Sequence, residues 1–299
     1  MIMKRIVLLI KSLLLTCIIA AAQGQLAEQQ PGALFAYPVA PDTCSSLENR
    51  CNYIITHFWE NYDISRPIAD DAAFEKTFRD FVDFFRFGHR NVVMTAVRDL
   101  VNKAQSNTAN LQKLGEVAER ALYGPEAEFW SDEVYVSFIK PLAANKQLPK
   151  AVRDHYAAQL TRINSVQVGV PLDFEYVGLD GLKHRLSELD GKTFILLFVD
   201  DGAESSIGRV RLGTNVALNA LLDSGEVTLV CLSLNKYSED WARAAGGYGS
   251  NWVVGCGGNL AEALDLRVLP CCYILDEERV VLNKTQSVEG VLSAVDPVY

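Results

Sequence analysis

The chain has 299 residues, 49% of them hydrophobic and 22% charged, with 28 basic against 37 acidic side chains and a net charge of −9. That apolar share supports packed cores and excludes a disordered chain. The acidic balance, with no Lys/Arg run to offset it, argues against nucleic acid or anionic lipid as a partner.

Residues 1–24 read as an export signal. Lys4 and Arg5 form a charged start, and Ile6 to Ala22 is an apolar run broken only by Lys11, Ser12 and Thr16. Ala20-Ala21-Ala22-Gln23-Gly24 supplies small residues for cleavage after Ala22 or Gly24. The run is too short and interrupted for a permanent transmembrane helix, and no later segment is long and apolar enough to span a bilayer. Cleavage removes Lys4, Arg5 and Lys11, so 25 of the 28 basic residues then face 37 acids, a net charge of −12. The expected location is the periplasm. The alternative is a lipoprotein anchored through Cys17, although Thr16 is not the small residue that such signals place before the cysteine.

Residues 25–164 carry a helical period. Leu47, Cys51, Ile54, Ile55, Phe58, Trp59 and Tyr62 recur at three- and four-residue spacing. So do Phe74, Phe78, Phe81 and Phe85, then Val93, Val97, Leu100 and Ala104, then Leu111, Leu114, Ala118 and Leu122. Val134, Phe138 and Leu142 follow, then Val152, Tyr156 and Ile163. Breaks at Gly88, Ser106-Asn107, Tyr123-Gly124-Pro125 and Gln147-Leu148-Pro149 divide this into an all-helical domain of about six helices. Ser45-x-x-Glu48 reads as a capping box opening the first of them. The phenylalanine stripe reads as core rather than as a cofactor box.

Ser165 to Pro171 is the junction, and residues 165–299 change period. Phe174 to Val177 alternates and meets Asp180-Gly181, a hairpin signal. Phe194 to Val199 is a continuous apolar run, as a strand buried on both faces requires. A helix over Val210–Leu222, a strand over Val227–Ser233, a helix from Ser238 and a short strand over Trp252–Val254 follow. Gly255-Cys256-Gly257-Gly258 reads as a loop, and Leu260 to Leu266 as a short helix. Tyr273–Asp276 and Val280–Leu282 form a terminal hairpin, and Ser287 to Val295 a last helix. Strand–helix–strand followed by a hairpin gives an α/β sandwich.

Besides Cys17 the cysteines are Cys44, Cys51, Cys231, Cys256, Cys271 and Cys272. An exported chain meets an oxidising compartment, where disulfides form. Yet seven residues of helix separate Cα atoms by about 10 Å, beyond the ~7 Å reach of a disulfide, which argues against Cys44–Cys51. The default reading is of small buried hydrophobes. A regular strand points Cys271 and Cys272 to opposite faces.

Several features in order resemble the exported bacterial thioredoxin-like proteins related to TlpA and ResA. They are Val168-Gly169-Val170-Pro171-Leu172-Asp173-Phe174, Leu189-Asp190-Gly191-Lys192, the buried strand into Asp200, Ser238 to Trp241, and Leu269-Pro270. The N-terminal part, with Arg50 to Asp63, Ala121 to Pro125 and Trp130 to Glu133, resembles a helical domain of unknown function found ahead of such thioredoxin domains. The resemblance implies an α/β thioredoxin-like C-terminal domain preceded by an all-α domain, with Pro270 in the cis form near the start of the active-site helix.

In redox-active members of that family a Cys-x-x-Cys opens this helix, its first thiolate stabilised by the helix N-terminus. The matching positions here are Ala203 and Ser206, and neighbouring registers offer Glu204, Ser205 or Ile207, none a cysteine. Asp200, Asp201 and Glu204 read as helix-capping carboxylates, or with Leu269, Pro270 and Cys271 as a binding site.

His57, His89, His155 and His184 stand at no metal-ligand spacing, and no metal or cofactor is expected. The reading that follows is an exported, redox-inactive protein that binds a peptide or protein partner in the cell envelope, since a fold alone confers no chemistry. The alternative is a thiol–disulfide oxidoreductase working through relocated cysteines, Cys271 with Cys256 or Cys272. A third reading makes the helical domain the functional part.

Overall fold

The computed structural model describes residues 30–125, 127 and 130–295; the expected signal segment and Cys17 lie outside them. The chain divides into two compact units, Met1–Ala157 and Ala158–Tyr299.

Six α-helices begin within the described part of the first unit: α1 Leu47–His57, α2 Asp71–Asp83, α3 Arg90–Ala104, α4 Thr108–Leu122, α5 Asp132–Ala144 and α6 Lys150–Ser165. The division between the units falls inside α6. A Ser, Asp or Asn side chain caps the start of four of them, and His89 caps α3 by accepting from the Asn91 N–H. Ser46 caps α1 by accepting from the Asn49 N–H, Asp70 caps α2, Asn107 caps α4 and Ser131 caps α5. The cap of α1 is therefore Ser46, one residue later than the expected capping box at Ser45. Serines stand at both positions, and only the local backbone decides which accepts the bond. Phe74, Phe78 and Phe81 are fully buried, and Phe78 meets Phe138 of α5 edge-on at 5.4 Å. The stripe is core.

The second unit is built on one seven-stranded sheet of order β2-β1-β5-β4-β3-β6-β7. Its strands are β1 Glu175–Gly178, β2 Lys183–Arg185, β3 Thr193–Val199, β4 Val227–Ser233, β5 Val253–Cys256, β6 Cys271–Asp276 and β7 Val281–Gln286. Central β3 runs parallel to β4 and antiparallel to β6, and is buried from Phe194 onward, which its unbroken apolar run requires. Between the strands lie α7 Ala203–Thr214, α8 Val216–Asp223, α9 Glu239–Ala245 and α10 Leu260–Ala263, and α11 Val288–Val295 ends the described chain. Phe194, Leu196, Phe198, Cys271 and Tyr273 belong to the core on one face of the sheet; Ile195, Leu197, Cys231, Cys272 and Leu212 belong to the core on the other.

Two expectations need correction. The helix expected over 210–222 is two helices with a longer reach, because Asn215 caps a fresh start by accepting from the Leu218 N–H at 2.8 Å. Cys256, expected in a glycine-rich loop, is the last residue of β5, paired with Ser233 of β4. The small glycines around it leave room for packing: a Cβ at Gly255 would meet the Tyr176 ring at 2.3 Å.

Candidate functional site

The site is the turn from β3 into α7, together with the entry to β6. β3 ends at Val199, and Asp200 closes the turn. Its Oδ1 accepts from the Ser205 hydroxyl at 2.6 Å and from the Gly202 N–H at 3.0 Å, while Ser205 Oγ accepts from the Asp200 N–H at 3.2 Å. Ser205 is fully buried. The Ser205 hydroxyl, with the Gly202 N–H and the Arg209 charge, outweighs burial and holds the Asp200 carboxyl below its ordinary range. Asp201 accepts from the Asn235 side chain at 2.8 Å. Of the three acids only Glu204 stands exposed with no protein partner described, in the first turn of α7.

Ala203 is the first residue of α7 and Ser206 its fourth, so both lie at the opening of this helix. Ala203 is exposed, and half-buried Ser206 accepts from Arg209 Nη2 at 3.0 Å. The Arg209 guanidinium also lies 4.5 Å from the Tyr248 ring centroid, a cation–π distance. Beyond them α7 exposes Ile207 (50%) and Val210 (63%), an apolar stripe that no described element covers.

The Leu269–Pro270 peptide is cis. Leu269 packs on the core shared by Phe198 and Cys271, and Pro270 lies against α7 at Gly208. Thus Asp200, Asp201 and Glu204 gather around the opening of α7, and Pro270 lies against its second turn. Cys271 does not face solvent there: it is 1% exposed and pairs with Phe198 of β3.

The relocated cysteines are not brought together. Cys256 is on β5 and Cys271 on β6, with β4 and β3 between them, a span of about three strand spacings or ~14 Å, twice the reach of a disulfide. Cys271 and Cys272 belong to opposite cores. No disulfide is present among the described residues. Burial pushes the Cys256 and Cys272 thiols up and carries Cys231 to about 12, the reverse of an activated thiolate.

Sequence reasoning missed one buried polar cluster beside this site. Asp265, between α10 and β6, receives Arg267 Nη2 at 2.8 Å and Lys284 Nζ at 2.9 Å, and Tyr273 donates to its backbone carbonyl at 2.8 Å. Burial raises the Asp265 carboxyl, but the Arg267 and Lys284 charges more than reverse this and leave it below its ordinary value. An Asp-x-Arg spacing was the only local signal; Lys284 comes from β7. No three His, Cys, Asp or Glu side chains among the described residues are grouped to hold a metal ion. No helix among them is long and apolar enough to cross a membrane.

Comparison with solved structures bears on this geometry. A thioredoxin-like protein from Bacteroides caccae superposes with a TM-score of 0.79, at 18% identity, over 89% of this chain and 99% of that one. The fold is thioredoxin-like. The thioredoxin domain of a thiol-disulfide oxidoreductase from Bacteroides vulgatus matches at 19% identity over 44% of this chain and 97% of its own, with a TM-score of 0.37. The exposed lipoprotein thioredoxin of Streptococcus pneumoniae matches at 20% identity, over 42% and 100%, with a TM-score of 0.34. Residues 19–165 match a family model described as a domain of unknown function, DUF5106. No curated protein matched the chain. The chain thus joins a helical region to a thioredoxin-like α/β unit.

Proposed function

We propose that this is an exported thioredoxin-fold protein that binds a peptide or protein partner in the cell envelope and does not exchange disulfides. The observation that carries it is a cis Leu269–Pro270 turn lying against α7, a helix opened by Ala203 and Ser206, the positions to which the family resemblance assigns thiols. On the face of α7 turned away from Pro270, Ile207 and Val210 are exposed, and an exposed apolar helix face suits a peptide or protein partner with apolar side chains. Asp200 and Asp201 are engaged in the turn itself, so within the acidic group Glu204 is the one placed to meet a partner. The signal-like residues 1–24 support a periplasmic location, or one at a membrane surface if Cys17 is lipidated.

The test has two arms on the purified chain. An insulin-reduction assay with dithiothreitol should give no rate above the uncatalysed one; a clear rate abolished by Cys271→Ala would overturn the reading. Binding to an array of envelope-protein peptides should occur and should be lost in an Ile207→Asp/Val210→Asp variant. No binding by the wild type, or binding untouched by the variant, would remove the site from consideration.

A further inference from the structure

The Asp265 cluster does more than fill a core. Arg267, Asp265 and Lys284 side chains are 2%, 0% and 7% exposed. Ions held away from water are expensive, and well-packed apolar residues of similar volume are often at least as stable. What an ion chain adds is direction: each member fixes where the next must be. Here Lys284 Nζ donates both to Asp265 Oδ2 at 2.9 Å and to the carbonyl of Val166 at 2.8 Å, the first residue past α6. Arg267 grips the same carboxylate from a position three residues before Pro270. A second tether runs alongside, from the Ser165 hydroxyl to the Ala263 carbonyl at 2.8 Å. The stretch 263–270, which presents Leu269-Pro270 to α7, is therefore fastened at its base to the end of α6 rather than only to its own neighbours.

We propose that the chain Arg267–Asp265–Lys284–Val166 makes the Leu269-Pro270 loop and the C-terminal end of α6 move as one mechanical unit, so that displacement of the loop is felt at residues 165–166. The device is a property of the fold and holds whether or not a partner occupies the loop. Asp265 cannot shift without drawing Lys284, and Lys284 cannot follow without releasing or pulling Val166. Spatial continuity alone does not establish coupling; a double-mutant cycle does.

The experiment is hydrogen exchange by mass spectrometry on the full chain, reading peptides that cover 160–168, 262–270 and, as a control, β3 at 193–199. Arg267→Met should speed exchange in 262–270 and, by about tenfold, in 160–168, with β3 unchanged. In a Lys284→Met background the same substitution should change 160–168 less than twofold. An effect confined to 262–270, an equal factor in both backgrounds, or acceleration of β3 as well would overturn the proposal. If Arg267→Met does not fold, Arg267→Lys, which keeps the charge and gives up the guanidinium's two-nitrogen grip, is read by the same criteria.

Discussion

Gly208 of α7 sits directly on Pro270: a Cβ at position 208 would stand 2.9 Å from Pro270 Cγ and 3.1 Å from Val288 Cγ2. The ring and the β-branched side chain that it would meet are both stiff. Ordinarily a glycine inside a helix costs roughly 0.5–1 kcal/mol relative to alanine. Here the close approach outweighs that, and overpacking by one or more carbons costs about 1–3 kcal/mol. Gly208→Val should lower the urea midpoint with an unchanged slope, and Gly208→Ala should fail to raise it. A midpoint raised by alanine would show that the proline turn yields.

Thiols installed at the opening of α7 should form a reactive pair. In a helix residues i and i+3 have Cα atoms about 5–6 Å apart, within disulfide reach. Ala203→Cys/Ser206→Cys should therefore close a reducible disulfide and reduce insulin, with the thiol at 203 the more acidic because it lies at the helix N-terminus. The check is a thiol titration against glutathione buffers alongside the insulin assay. A pair that stays reduced in oxidised glutathione would mean that the turn does not support disulfide chemistry.

Thiol reactivity of the unaltered chain should separate one cysteine from the rest. Cys44 is half-buried, whereas Cys51, Cys231, Cys256, Cys271 and Cys272 are at most 1% exposed. An aromatic disulfide reagent should titrate Cys44 in the native protein and the others only on denaturation. On a chain beginning at residue 25, which lacks Cys17, Cys44→Ser should abolish the native reaction. Rapid loss of two or more further thiols without denaturant would revive the relocated-cysteine alternative.

Ser205→Ala should loosen the turn. It strips Asp200 of the hydroxyl donor to its carboxylate and the acceptor of its N–H, and an unmet group of this kind costs about 1–3 kcal/mol. Denaturation by urea measures the loss. Ser205→Thr should recover part of it if the extra methyl fits.

Acid should act through Asp265. Its carboxyl lies below the ordinary value in the folded chain, so as the pH falls the unfolded chain takes up the proton first and the folded state loses stability. The contribution is complete above about pH 5 and disappears as the pH drops through the folded value. Asp265→Asn should lower the midpoint at pH 7 and flatten its dependence between about pH 5 and 3 relative to wild type. Equal slopes in the two proteins would assign the acid sensitivity to other carboxylates, such as Asp173 or Asp200.

Much of the frame was legible in the residues. The unbroken run from Phe194 to Val199 announced a central strand, and the phenylalanine spacing announced a helix core, since burial on two faces or one stripe leaves a periodic mark. The opposed faces of Cys271 and Cys272 followed from strand geometry alone. What was not legible depended on partners remote in sequence. Lys284 meets Val166 across 118 positions and Asp265 across 19, and no spacing rule links them. Cys256 was misplaced because its flanking glycines signal a turn, while cross-strand pairing with Ser233 and Val177 overrides that preference. Asn215 breaks a helix that propensity would carry through, because its side chain satisfies the amide of Leu218.

The adjacent thiols of Cys271 and Cys272 turn one strand into a two-channel reporter. A single peptide bond separates them, yet each is sealed beneath a different layer of the α/β unit. In pulse labelling under rising denaturant the moment at which each becomes alkylated dates the opening of its own layer. One tryptic peptide, read for the site of its label, would then give the order in which the two sides of the sheet come apart.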